Sequence, residues 1–227
     1  TLDDALGVVS CRGALFEKLP RGAMLSIPLS VEAARPFMTA ALSIAAVNHA
    51  SQCVASGDVA SIDALAAALE RADVDATRVH IDVAAHSSLV EPILGEFHAF
   101  LSTIELSAPR LPFVSNVTGT WITDREAQDP AYWVEHLRRT VRFADGIDTL
   151  LAEPGRALIE VGPGRTLSTF AKNHPGPNKG TIVATLRHPQ EKTDDLAFLL
   201  RSVGKLWCAG IELDFDGFYR NEARRRA

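Results

Sequence analysis

The sequence is short of several things, and each shortage narrows the field. Cysteine occurs only at Cys11, Cys53 and Cys208, with no CxxC pair and no histidine cluster beside any of them. That argues against a disulfide framework and against a metal site, and it suits a reducing cytoplasm. No apolar run reaches the ~18 residues a membrane-spanning helix requires, and no charged-then-apolar leader pattern opens the chain. Positive charge is also scarce. The 23 Lys and Arg against 28 Asp and Glu leave a net charge of −5, which argues against nucleic acid as the main partner. The basic tail of Arg220, Arg224, Arg225 and Arg226 is short and reads as linker. What remains is a 227-residue chain of ordinary globular composition, enough for one large domain or one domain with a smaller companion.

The chain opens on what reads as a capped helix: Thr1 as cap, Asp3 and Asp4 in the first turn, then Leu2, Leu6, Val9, Leu15 and Leu19 on one side up to residue 19. A globular α/β domain seldom starts this way, so the chain is expected to be a piece of something longer. From residue 22 to 82 the pattern is regular. Strands at 23–29, 42–47, 52–57 and 77–81 alternate with helices at 30–38 and 61–71, the β-α-β-β-α-β order of a ferredoxin-like subdomain. Beyond it, a helix is expected to about 104, a buried strand at 111–119, helices at 130–137 and 145–151, and a central parallel strand at 157–161. Gly162-Pro163-Gly164 and a helix at 166–172 follow. Strand, glycine turn and helix could cradle phosphate, but the P-loop lysine and the dinucleotide spacing are missing. A strand at 181–186, a helix at 194–208 and a short strand at 211–215 complete the chain.

The stretch with most chemical interest is Ile81-Asp82-Val83-Ala84-Ala85-His86-Ser87-Ser88. A strand-like run ends in small residues, a histidine follows, and a helix-like segment begins. Loops at strand ends sit on rigid support, and an imidazole there can accept a proton near neutral pH. A lone loop histidine is more often a surface or helix-start residue; what singles out His86 is the set of motifs around it. Arg12 on the opening helix reads by itself as a solvated charge. Its alternative role is a planar clamp for a carboxylate.

Six of these motifs, in order, resemble the acyltransferase domain of modular type I polyketide synthases, related to malonyl-CoA:acyl-carrier-protein transacylases. They are Cys11-Arg12-Gly13, Asn48 in Val47-Asn48-His49-Ala50, Ala84-Ala85-His86-Ser87, Ser115-Asn116-Val117-Thr118-Gly119, the run WVEHLRRTVRF from Trp133 to Phe143, and Glu160-Val161-Gly162-Pro163-Gly164. The resemblance implies an α/β fold: a hydrolase-like parallel-sheet core, here incomplete, over 1–21 and 83–174, an inserted ferredoxin-like subdomain over 22–82, and a post-acyltransferase linker over 175–227. It also implies roles. His86 serves as base for a serine nucleophile and then as acid for the leaving thiol. The backbone carbonyl of His136 receives the other ring N–H and fixes the tautomer. Arg12 pairs with the free carboxylate of the acyl group, and Asn48 lies near the site.

The family's nucleophile sits in a G-H-S-x-G elbow, and this sequence has no G-x-S-x-G. The resemblance therefore implies that a missing N-terminal part of the same domain carries the serine. Other implied partners are an acyl-CoA, an acyl carrier protein bearing phosphopantetheine, and an adjacent ketosynthase. No cofactor is bound by the chain itself, since coenzyme A enters as a thioester substrate. The four residues ending at the histidine correlate with the extender in the family. Val83-Ala84-Ala85-His86 matches neither the malonyl pattern (His-Ala-Phe-His) nor the methylmalonyl one (Tyr-Ala-Ser-His). Ala85 leaves space for an α-methyl, so the balance leans to methylmalonyl. The competing expectations are a non-catalytic docking fragment of a synthase and a stand-alone hydrolase, the latter disfavoured by Arg12.

Overall fold

The computed structural model describes residues 1–176 and 180–220. The chain forms two compact units, Thr1–Ala152 and Glu153–Ala227.

The first unit opens with α1 (Leu2–Phe16), closed by a capping box in which the Thr1 hydroxyl oxygen accepts from the Asp4 N–H and the Asp4 carboxylate reaches back. Then come β1 (Gly22–Ile27), α2 (Val31–Ala34) running into a 3-10 turn, β2 (Ser43–His49), β3 (Gln52–Asp58), α3 (Val59–Arg71) and β4 (Thr77–Val79). The strands form one antiparallel sheet in the order β2-β3-β1-β4. Period-2 patterning sorts its two faces. Ala23, Leu25 and Ile27 point to Ile62, Leu65 and Leu69 of α3, while Met24, Ala45 and Val54 cluster on the other face, where Val79 and Ala85 join them.

The rest of this unit is helical. A 3-10 turn (Ser88–Val90) leads into α4 (Glu91–Leu101), followed by α5 (Asp124–Ala127), α6 (Pro130–Arg138) and α7 (Phe143–Leu151). Leu15 of α1, Val90, Ile93, Phe97 and Leu101 of α4 and its lead-in, and Leu137 of α6 make a second core. The sheet edge is joined to the segment after α6. Val47 N–H donates to the Val141 carbonyl and Val141 N–H to the Ala45 carbonyl, both at 2.8 Å, and the Thr140 hydroxyl donates to the Ile44 carbonyl at 2.6 Å.

The second unit holds β5 (Ala157–Pro163), α8 (Thr166–Lys172), β6 (Thr181–Leu186), α9 (Asp195–Cys208) and α10 (Phe215–Phe218), with β5 and β6 paired in parallel. Among the described residues no helix is long and apolar enough to cross a membrane.

Several elements depart from the sequence reading. Leu2, Leu6 and Val9 do not face the core: they are 75%, 60% and 58% exposed, and α1 ends at Phe16. β4 stops at Val79 because Ile81 N–H turns back onto the Val79 carbonyl, so 80–83 is loop. The expected strand at 111–119 is a single bridge between Val114 and Trp121 with Leu111 in solvent. There the Ser115 hydroxyl oxygen accepts from the N–H groups of Val117 and Thr118 and winds the chain into a turn instead. Residues 211–215 form no strand, since Asp214 caps α10 through the Gly217 N–H. β5 is not central: β6 is its one described partner, and Val161 is 82% exposed. The glycine turn after it leaves no phosphate cradle, because Glu160 already accepts from the N–H groups of Leu167 and Ser168 at the start of α8. The contact boundary falls at Ala152, so β5 and α8 group with β6 and α9 and not with residues 83–152. Of the basic tail, Arg224, Arg225 and Arg226 lie outside the described residues.

Candidate active site

The site grows from one loop. Ser87 is buried and clips that loop at both ends: its hydroxyl donates to the Ala84 carbonyl at 2.7 Å and accepts from the Leu89 N–H at 3.2 Å. Between these anchors His86 adopts φ = 57°, a left-handed conformation uncommon for a residue with a Cβ and worth roughly 1–3 kcal/mol of strain. The loop lies hard against β1. Gly22 N–H donates to the Asp82 carbonyl at 3.1 Å, and a Cβ on Gly22 would stand 2.5 Å from the Ala84 backbone nitrogen.

The His86 ring is held from the other side by α6. Its Nδ1 lies 2.8 Å from the backbone carbonyl oxygen of Arg139, the residue that ends α6. A carbonyl can only accept, so Nδ1 carries the proton and Nε2 of the neutral ring is left with a free lone pair. The sequence reading assigned this acceptor to His136. The structure assigns it to Arg139, because α6 runs through Arg138 and its last free carbonyls are presented one turn later. The Arg139 side chain is engaged separately, in an ion pair with Glu135.

His136 contributes its side chain instead. Its ring packs edge-on to that of His86, centroids 6.5 Å apart, and also contacts Trp133 and Tyr132. Two anchors fix α6 in place: the Tyr132 hydroxyl donates to the Ser115 hydroxyl at 2.6 Å, and the Trp133 indole N–H donates to the Ala127 carbonyl at 3.0 Å. Burial lowers the pKa of His86 below its ordinary 6.5, the Arg139 bond opposes this, and the charge of Arg12 lowers it further. His136 is lowered by burial, then by His86 and by Arg12. Both rings are thereby biased to the neutral form.

Arg12 and His136 line one cavity of about 370 Å³ between α1, α4 and α6, walled by Val8, Val9, Phe97, Leu101, Leu106 and Trp133. Among the described residues Arg12 makes no ion pair or hydrogen bond. An exposed guanidinium over an apolar wall, beside an oriented imidazole, can hold an acid group and move a proton next to it. A larger hollow of about 520 Å³ beside α3 is lined by Asp63, Glu70, Asp73 and Asp75. Four carboxylates and no imidazole suit neither task.

The structure thus brings Arg12, His86 and His136 together. Ala85 packs toward the Met24, Ala45 and Val54 cluster, at the seam between loop and sheet. Val83 is half-buried in the loop itself. Asn48 stands on β2, one residue past the Val47–Val141 bond, and makes no side-chain hydrogen bond among the described residues. Among those residues no group of three or more His, Cys, Asp or Glu side chains could hold a metal ion.

This geometry is found with a match to the acyl transferase domain family over residues 1–212. The chain belongs to the acyl transferase domain family. It is 38% identical over 215 residues to one protein of the phenolphthiocerol/phthiocerol polyketide synthase of Mycobacterium tuberculosis, covering 94% of this chain and 14% of that protein. Among solved structures, the acyltransferase domain of SpnD, in complex with 2-(pent-4-yn-1-yl)malonyl, is 39% identical with a TM-score of 0.87, covering 92% of this chain and 51% of that one. The acyltransferase domain of ZmaA is 37% identical with a TM-score of 0.87, covering 100% and 53%. The chain therefore spans about half the length of these solved acyltransferase domains and a small part of the synthase protein.

Arg139 and Ser87 escaped the sequence reading as residues of the candidate site. Arg139 acts through its main chain, which no side-chain motif reveals. Ser87 carried a signal: a serine directly after the histidine and just before a helix start is placed to cap it.

Proposed function

We propose that this chain supplies the acid/base and carboxylate-binding part of an acyltransferase in a polyketide synthase. The reaction moves a (methyl)malonyl-type acyl group from coenzyme A to a serine, then to the phosphopantetheine thiol of an acyl carrier protein beside a ketosynthase. One observation carries the reading: His86 is held as the Nδ1–H tautomer by Arg139, while Arg12 lines the adjoining cavity, and among the described residues neither Nε2 of His86 nor Arg12 has a hydrogen-bond partner.

In this reading Nε2 of His86 takes the proton from a serine hydroxyl as the oxygen attacks the thioester carbonyl. The tetrahedral adduct then collapses, the carbon–sulfur bond breaks, and the same proton goes to the departing thiolate. The carrier thiol reverses these steps: it gives its proton to Nε2 as its sulfur attacks the acyl carbon, the ester carbon–oxygen bond breaks, and Nε2 passes that proton to the departing serine oxygen. The bond to Arg139 stabilises the imidazolium that forms in each half-reaction. The serine is proposed to come from the remainder of the domain, since the chain has no G-x-S-x-G. No cofactor is required, and the work is proposed to be done in the cytoplasm.

The complete domain, incubated with radiolabelled malonyl-CoA and, separately, methylmalonyl-CoA, is expected to give with at least one of them a labelled acyl-enzyme that passes its label to carrier protein. No label on the domain rejects the reading and favours a non-catalytic docking role, for which the missing elbow speaks. The lean toward methylmalonyl rests on the small side chain at Ala85. Competition between malonyl-CoA and methylmalonyl-CoA is expected to shift toward malonyl in Ala85→Phe, and an unchanged ratio rejects that assignment.

A further inference from the structure

His136 has a place in the site but no task in the reaction just described. Its backbone is not the acceptor for His86, yet its ring packs against that of His86 and lines the same cavity as Arg12. Among the described residues neither of its ring nitrogens has a hydrogen-bond partner, and Arg12 has none either. Two unmatched donors from different helices, α1 and α6, thus border one space whose other walls are apolar, Val8, Val9, Phe97 and Trp133 among them.

A single carboxylate offers two oxygens and about four lone pairs, more than one guanidinium fork occupies. In an apolar setting any oxygen left unmatched is costly. We infer that the His136 imidazole is a substrate-binding residue that donates a second hydrogen bond to the free carboxylate of the acyl group held by Arg12. This rests on the acyltransferase reading above and adds to it a determinant of selectivity for acidic acyl chains.

The orientation of the ring supports this role. Tilted contacts with Trp133 and Tyr132 at centroid distances of 6.0 and 6.5 Å hold the imidazole in one attitude, so little side-chain freedom is lost on binding. Burial, His86 and Arg12 bias the ring to the neutral form. A neutral ring still donates through one N–H, and it does not repel the guanidinium at its side.

The test compares His136→Phe, His136→Gln and Arg12→Ala in the complete domain, with malonyl-CoA and acetyl-CoA as donors and kcat and KM measured separately. His136→Phe is expected to raise KM for malonyl-CoA by roughly 10- to 100-fold, the loss typical of one hydrogen bond to a charged group. It is expected to leave kcat and the acetyl reaction within about threefold. His136→Gln, which keeps an N–H donor, is expected to restore most of the malonyl KM. If Arg12→Ala abolishes the preference for malonyl while both His136 variants keep it, Arg12 holds the carboxylate alone and the inference is wrong. If His136→Phe lowers kcat equally for both donors, the ring acts through His86 and the inference is again wrong. If Arg12→Ala itself keeps the preference, the acyltransferase reading of the cavity fails, a result distinct from either.

Discussion

The first unit contains two regions built on opposite plans. In the four-stranded sheet, both faces are closed by the chain's own residues: Ile62, Leu69 and Ile27 are fully buried, and β1 and β3 alternate between two clusters. The helices α1, α4 and α6 bury Leu15, Val90 and Leu101, but leave Leu2, Leu6 and Val9 in solvent and a cavity among them. The contrast separates stability from chemistry. The sheet, with its apolar faces closed, carries none of Arg12, His86 and His136, and the helical region with open apolar surface carries Arg12 and His136 and holds the ring of His86.

The largest effect that can break this contrast is at His86. His86→Ala is expected to lower acyl transfer by the ~10²- to 10⁴-fold that a general acid–base group contributes, read as the rate of acyl-enzyme formation, while the unfolding midpoint in urea stays put. A loss of stability in place of activity would move His86 from chemistry to packing. Next is Leu69→Ala in the sheet core, expected to cost about 2–5 kcal/mol in urea unfolding. The same truncation at Leu6, 60% exposed, is expected to fall within about 0.5 kcal/mol. Equal costs at the two sites would erase the distinction. Gly22→Ala tests the seam between the regions. Its new Cβ meets the Ala84 Cβ at 2.4 Å and backbone at 2.5 Å, so the His86 loop must shift, at about 1–3 kcal/mol. A crystal structure of the variant with the loop unmoved contradicts this.

The smallest effect is on pH dependence. Because the His86 pKa is lowered from 6.5, the acidic limb of kcat/KM for acyl transfer is expected below pH 6.5. Arg12→Ala removes one cause of the lowering, so the limb moves up in pH; a downward shift has the wrong sign. Stability follows the same direction. The unfolded histidines take up protons near pH 6.5 while the folded ones resist, so the contribution of His86 and His136 is whole above that pH. It is lost as pH falls toward their lowered values.

The sequence made the sheet legible because period-2 burial is written in it: Ala23, Leu25 and Ile27 on one face, Met24 on the other. His86 and Arg12 were legible as side chains in recognisable motifs. Three things were not. The acceptor for His86 is a backbone carbonyl, which any residue type could supply, so Arg139 left no mark and the assignment fell one turn early, on His136. The apolar pattern of α1 predicted a buried side, but amphipathicity says only that a helix has such a side and not what covers it. At 111–119 apolar content suggested a strand, and the hydroxyl of Ser115 outcompeted it by satisfying two N–H groups locally.

The bonds that tie Val47 and Ala45 to Val141 bear on any attempt at domain grafting. Arg139 lies two residues before Val141, so the edge of β2 that pairs with Val141 is also the ruler that sets how far the imidazole's acceptor stands from the imidazole. A chimaera that imports a foreign residue 22–82 segment keeps the Arg139 carbonyl against His86 only if the donor strand reproduces that edge in register.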